Sequence, residues 1–202
     1  MIPEKFIPHI EAVTEGYRQG AFTPRELFAY LLDKADGFED RNIWITRLSM
    51  ESLEPYLARL DASSPEELPL YGVPFAVKDN IDIAGVETTA ACPGFAYVAQ
   101  ETAFLVRQLL DAGAIPVGKT NMDQFATGLV GTRSPEPWGP CRNAFDSEVI
   151  SGGSSAGSAV AVSLGLVSFA LGTDTAGSGR VPAMLNNIYG LKPSRGVFSM
   201  SG

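Results

Sequence analysis

The chain has 202 residues, 45% of them hydrophobic and 19% charged, enough to bury a sizeable core as one domain or as part of a larger one. A net charge of −8, with no Lys/Arg cluster, excludes a surface built to hold nucleic-acid phosphates. His9 is the only histidine, and Cys92 and Cys141 form no CxxC pair. That argues against histidine catalysis and a His-rich metal site, and predicts free thiols in a reducing, cytoplasmic compartment.

Read in order, residues 9–20 have Ile10, Val13 and Tyr17 at helical spacing. Thr23-Pro24-Arg25-Glu26 opens a second helix: Thr23 caps, Pro24 suits the first turn and Glu26 completes a capping box. Asn42 to Thr46 reads as a short strand, and 51–60 as a helix with Leu53, Tyr56, Leu57 and Leu60 on its buried face. The N-terminal residues lack a basic stretch followed by an apolar one, so no signal peptide is read there. Residues 1–69 are expected to be a helical segment packing on a core at 70–202.

At Leu70 the pattern changes. Leu70 to Val77 reads as a buried strand, 102–112 as a helix burying Phe104, Leu105, Leu109 and Leu110, and 114–120 as a second strand. This rhythm predicts an α/β fold with parallel neighbours. Residues 131–150, rich in Pro, Gly and Arg, read as a long surface loop. The apolar run Ala159 to Leu171 is too short to span a membrane and carries Ser163, Gly165 and Ser168.

Two small-residue knots flank that run, 151–158 and 172–180. Ser154 and Ser178 lie 24 residues apart, room for a loop, a helix and a short strand that return the chain to its start. Ser178 sits between Gly177 and Gly179, so its hydroxyl can project from a tight turn. The N–H groups of Thr175, Ala176, Gly177 and Ser178 would then form an oxyanion trap. The same turn would also serve as a phosphate nest. Neither knot matches G-x-x-x-x-G-K-[ST], G-x-G-x-x-G or G-x-S-x-G.

A serine nucleophile needs a base, and without histidine lysine is the natural one. Bringing a lysine to about pKa 7 means disfavouring its charge by roughly 4–5 kcal/mol, which burial can supply. Lys78, behind Pro74-Phe75-Ala76-Val77, has that setting; Lys119 is a rival strand-end lysine. Ser154 would carry a proton between Ser178 and Lys78. Helix capping is its plainer role, which Ser151 or Ser155 could share.

Val77-Lys78-Asp79-Asn80, Gly152-Gly153-Ser154-Ser155 and Asp174-Thr175-Ala176-Gly177-Ser178-Gly179-Arg180, in this order, closely resemble the amidase signature family. The resemblance covers about residues 70–202. It implies an α/β/α sandwich around a mixed, mostly parallel sheet. It also implies a Ser–cis-Ser–Lys triad, with Ser178 the nucleophile, Ser154 the serine after a cis peptide bond and Lys78 the base. Thr175, Ala176 and Gly177 would supply the oxyanion hole. Thr127, Gly128, Arg133, Ser155, Asp174 and Arg180 would support the site or hold substrate, with no metal or organic cofactor.

Within the family, Thr89-Ala90-Ala91-Cys92-Pro93, residues 121–135 and Asn186-Asn187 are most similar to members that hydrolyse allophanate, a small carboxylated urea. That implies a small-molecule amide substrate, and leaves room for a homodimer and a functional link to a biotin-dependent urea carboxylase. The alternatives are a broad small-amide amidase, an inactive truncated fragment and a glutaminase-type amidotransferase subunit. The family fold is roughly twice this long, so the sheet is expected to be truncated here.

Overall fold

A computed structural model describes residues 2, 3 and 5–202. The first helix, α1 (Ile10–Arg18), is followed by α2 (Pro24–Asp36), whose Thr23–Glu26 capping box forms as read. Strand β1 (Trp44–Arg47) and helix α3 (Met50–Leu60) complete the N-terminal part. Then come β2 (Pro74–Lys78), the short strands β3 (Glu87–Thr88) and β4 (Tyr97–Val98), α4 (Phe104–Asp111) and β5 (Ile115–Thr120). Helix α5 (Ala156–Ser163), β6 (Phe169–Leu171) and α6 (Arg180–Leu185) follow the long loop.

The main sheet has the order β1-β5-β2-β6. Strand β1 runs antiparallel to β5, whereas β2 is parallel to both β5 and β6. This is the mixed, mostly parallel sheet of the sequence reading. It takes one strand from the N-terminal part, and Phe28, Leu53, Leu57 and Leu60 share a core with Ala76, Ile115 and Val117. A second apolar layer, with Phe75, Val77, Ala103 and Val106, fills the other face. Strands β2 and β5 are buried at every position, as expected for inner parallel strands covered on both sides.

Two expectations are corrected. In α4 only Val106 is buried, while Leu105, Leu109 and Leu110 are half-buried and Phe104 is 42% exposed. The buried stripe runs through Ala103 and Val106, and the 100° step puts Phe104 outside it, with Arg107 over its ring. The 131–150 loop is not wholly on the surface: Ser134, Cys141 and Asn143 are buried. Asn143 Nδ2 donates to the carbonyls of Ile150 and Leu185, and Ser151 Oγ to that of Cys141, which ties this loop to the serine knot.

Helix α5 enters the core by way of Gly157. A Cβ there would lie 2.3 Å from the Ile43 carbonyl oxygen and 2.7 Å from the Asn121 nitrogen. Both are backbone atoms and cannot swing aside. Gly157→Ala is therefore expected to destabilise the protein by about 1–3 kcal/mol in urea-unfolding titrations, whereas Gly94→Ala, with open space around it, leaves the midpoint unchanged.

Candidate active site

The site lies at the C-terminal ends of the parallel strands, where α/β sheets usually hold their ligands. Lys78 is the last residue of β2 and has no solvent exposure. Its Nζ donates to Ser154 Oγ at 2.7 Å and to Thr173 Oγ1 at 2.6 Å. Ser154 is buried just before α5, and the Gly153–Ser154 peptide bond is cis. Thr173 follows β6, the strand beside β2 in which Leu171 pairs with Val77. Sheet order thus brings together three groups far apart in sequence.

Small residues are needed where the knots meet. Gly152 has φ +73°, and a Cβ on it would lie 2.9 Å from Pro182 Cα. Ser178, 6% exposed, is tied in by its carbonyl, which accepts from the Ser155 N–H at 3.0 Å. Its own Oγ donates to the Gly128 carbonyl at 3.4 Å, a long bond. In this resting arrangement Ser178 and Ser154 share no hydrogen bond. To bond Ser154 Oγ, the Ser178 hydroxyl would have to turn away from Gly128.

Burial decides the charge of Lys78. It lowers the amine's pKa from 10.5 to about 7, against the opposing pull of the Asp123 and Asp174 charges. Neither carboxylate reaches its Nζ; both bonded partners are neutral hydroxyls. The amine is therefore substantially uncharged near neutrality, and a neutral Nζ can use its lone pair on the Ser154 proton while an N–H stays on Thr173.

Asp174 organises the second knot. Its carboxylate accepts from the N–H groups of Gly177 at 2.7 Å, Gly179 at 3.1 Å and Arg180 at 3.0 Å. It also takes a two-pronged bond from the Arg180 guanidinium, at 2.9 and 3.0 Å. The Arg180 side chain, together with these amides, holds its pKa well below the usual carboxylate range. This corrects one reading: the Gly177 N–H is spent on Asp174 and is not free for an oxyanion. The N–H groups of Thr175, Ala176 and Ser178 have no acceptor among the described residues and remain available.

The other candidates divide. Ser155 Oγ donates to the Thr173 carbonyl and accepts from its N–H, bracing the turn that holds Thr173. Thr127 and Gly128 lie on the rim, with Thr127 Oγ1 donating to the Gln124 carbonyl. Arg133 is exposed and gives its guanidinium to the Thr127 carbonyl. This bond braces the rim and occupies one nitrogen of the guanidinium. Burial pushes the Cys141 thiol well above its ordinary pKa, so it is no nucleophile. No group of three His, Cys, Asp or Glu residues among the described residues could hold a metal ion, and none of the described helices is long and apolar enough to cross a membrane.

Sequence reasoning missed two residues. Thr173 has no distinctive local pattern; only the pairing of β6 with β2 sets it beside Lys78. Buried Asp123 accepts from the N–H groups of Gly131 and Arg133, and a Cβ on Gly153 would lie 2.1 Å from its Oδ2. Asp123 was visible only as a polar residue after a strand.

The Amidase family model matches residues 26–202. The chain belongs to that family. It is 58% identical over 177 residues to the urea amidolyase of Saccharomyces cerevisiae, a match covering 87% of this chain and 10% of that protein. It is 39% identical over 192 residues to a glutamyl-tRNA(Gln) amidotransferase subunit of Deinococcus deserti, covering 95% of this chain and 39% of the relative. Among solved structures, Kluyveromyces lactis allophanate hydrolase superposes with a TM-score of 0.84 at 48% identity, covering 94% of this chain and 32% of that one. The chain thus spans well under half the length of these relatives.

The pKa of Lys78 sets a pH dependence. With the neutral Lys78 amine acting as base, phosphonylation of Ser178 by a small phosphonofluoridate should rise with pH through about 7 and then level off. Thr173→Val removes an acceptor that favours the ammonium, so it should move this midpoint down by about one pH unit. Thr173→Ser should restore it.

Proposed function

We propose that this chain carries the nucleophile, relay and base of an amidohydrolase whose substrate is allophanate. The observation that carries the reading is the 2.7 Å bond between the fully buried Lys78 amine and Ser154 Oγ, on a helix entry that also holds Ser178 through the Ser155 N–H.

The steps follow from the geometry. Ser178 turns from Gly128 and gives its proton to Ser154 Oγ as Ser154 passes its own to Lys78 Nζ. The Ser178 oxygen bonds to the terminal amide carbonyl carbon of the substrate. The N–H groups of Thr175, Ala176 and Ser178 take the developing oxyanion, the interaction that usually contributes most to acyl transfer. The ammonium of Lys78 then returns a proton by the same relay to the leaving nitrogen, the C–N bond breaks and ammonia departs. Water, deprotonated along the same path, cleaves the acyl-enzyme. The product is a doubly carboxylated amine, which breaks down to carbon dioxide and ammonia. Asp174 and Arg180 keep the donor loop in shape throughout.

The choice of substrate rests on the named relatives. A urea amidolyase is 58% identical over 177 residues, whereas amidotransferase subunits are 39% identical over 192 residues and reach 50% only over 135. On this reading the reaction takes place in the cytoplasm and follows a biotin-dependent carboxylation of urea.

The test is ammonia release from allophanate, glutamine and simple aliphatic amides. Allophanate should be turned over fastest. Ser178→Ala and Lys78→Met should each lower kcat by about 10³–10⁶-fold, as for nucleophiles and bases of other serine hydrolases. Faster release from glutamine would favour an amidotransferase-type role. Release undiminished by Ser178→Ala would remove the nucleophile assignment.

A further inference from the structure

A second lysine, Lys119, is as buried as Lys78 and takes no part in the proton relay. It lies one residue before the end of β5, paired with Val77, and so projects to the sheet face opposite the base. Its Nζ donates to Thr88 Oγ1 at 2.7 Å and lies 3.9 Å from Asp79 Oδ1, with neither side chain of this pair exposed to solvent. Thr88 Oγ1 passes the chain of bonds on to Asp82, which also accepts from the Tyr97 hydroxyl. Asp79 is the residue after the base. Its Oδ2 accepts from the Thr89 N–H and hydroxyl, at 3.0 and 2.6 Å, and from the Ala91 N–H at 3.4 Å.

Every partner of this ion pair belongs to the 87–91 segment, and that segment shapes the rim of the site. Ala90 and Ala91 both have left-handed backbone, φ +49° and +54°, which an alanine adopts only when held there. They abut a second left-handed pair, Phe125 and Ala126, φ +51° and +56°. The Phe125 N–H donates to the Ala90 carbonyl at 2.9 Å, and Gln124 Nε2 to that of Ala91 at 3.3 Å. Two residues beyond Ala126 is Gly128, whose carbonyl oxygen is the one the Ser178 hydroxyl rests on. Phe125 is further stacked edge-on against Phe95, which meets Tyr97 in the same way.

We propose that Lys119 and Asp79 are a positioning pair for the nucleophile. They hold the 87–91 turn, the turn templates the 124–128 loop, and the loop sets the direction of the Ser178 hydroxyl. A buried charge pair is a poor source of net stability. One that fastens a single strained turn to the sheet has its largest effect on geometry. The inference rests on the assignment of Ser178 as nucleophile.

The test measures labelling of Ser178 by a small phosphonofluoridate in the whole chain, below the unfolding transition. Burst amplitude gives the fraction of molecules with a formed site, and rate gives the alignment of the hydroxyl in those molecules. Lys119→Met and Asp79→Asn should each slow labelling at least tenfold while most of the amplitude is kept. Thr89→Val, a gentler change that loses one donor to Asp79, should slow it about threefold, and Thr89→Ser should restore the rate. Wild-type rates in Thr89→Val and in whichever charge variants fold, with only amplitude or melting temperature reduced, would show a purely structural pair and overturn the inference. If the wild-type chain labels at a residue other than Ser178, or not at all, the nucleophile assignment itself fails and this inference with it.

Discussion

The proposed chemistry depends on burying one amine without giving it a counter-charge. Lys78 has two hydroxyls for partners and no carboxylate within bonding reach. Moving a lysine from pKa 10.5 to about 7 corresponds to about 5 kcal/mol against the charged form. Had Asp123 or Asp174 stood in direct contact, the amine would stay an ammonium and could take no proton. Both carboxylates are instead engaged elsewhere, Asp123 on the N–H groups of Gly131 and Arg133, and Asp174 on those of Gly177, Gly179 and Arg180 and on the Arg180 guanidinium. Their charges shape loops and raise the Lys78 pKa only in part.

The two buried lysines show how a sheet sorts similar residues into different roles. Lys78 and Lys119 both come at or near the end of a buried strand, and burial pulls both pKa values down. Because Val77 pairs with Lys119, the pleat turns Lys119 to the face of Asp79 and Thr88, and Lys78 to the face of Ser154 and Thr173. A carboxylate 3.9 Å away opposes the loss of charge on Lys119; nothing so close does so for Lys78. One lysine faces only hydroxyls and the other a carboxylate.

Small residues make the meeting of the knots sterically feasible. A Cβ on Gly152 would meet Pro182, one on Gly153 the Asp123 carboxylate, and one on Gly157 the backbone of Ile43 and Asn121. These glycines allow the backbone bearing Ser154 to lie against the loop bearing Asp123 and against α6 at Pro182. The proposed oxyanion donors lie in the same crowded region. Asp174 draws the amides of Gly177, Gly179 and Arg180 inward and leaves those of Thr175, Ala176 and Ser178 without a protein acceptor among the described residues.

The sequence by itself determined the elements whose causes are local. The Thr23–Glu26 capping box, the apolar strands ending in Lys78 and Thr120, and the helix and short strand between the two serines all follow from nearest-neighbour chemistry. The motifs singled out Lys78, Ser154 and Ser178, of which the structure joins Lys78 and Ser154 by a direct bond. Only the tertiary structure decided that Thr173 shares the Lys78 amine, that Asp174 takes the Gly177 N–H, and that one nitrogen of Arg133 bonds the Thr127 carbonyl. It alone placed Phe104 in solvent and Asn143 inside. Those outcomes rest on which strands lie side by side and on competition for donors between residues distant in sequence, and no local pattern encodes either.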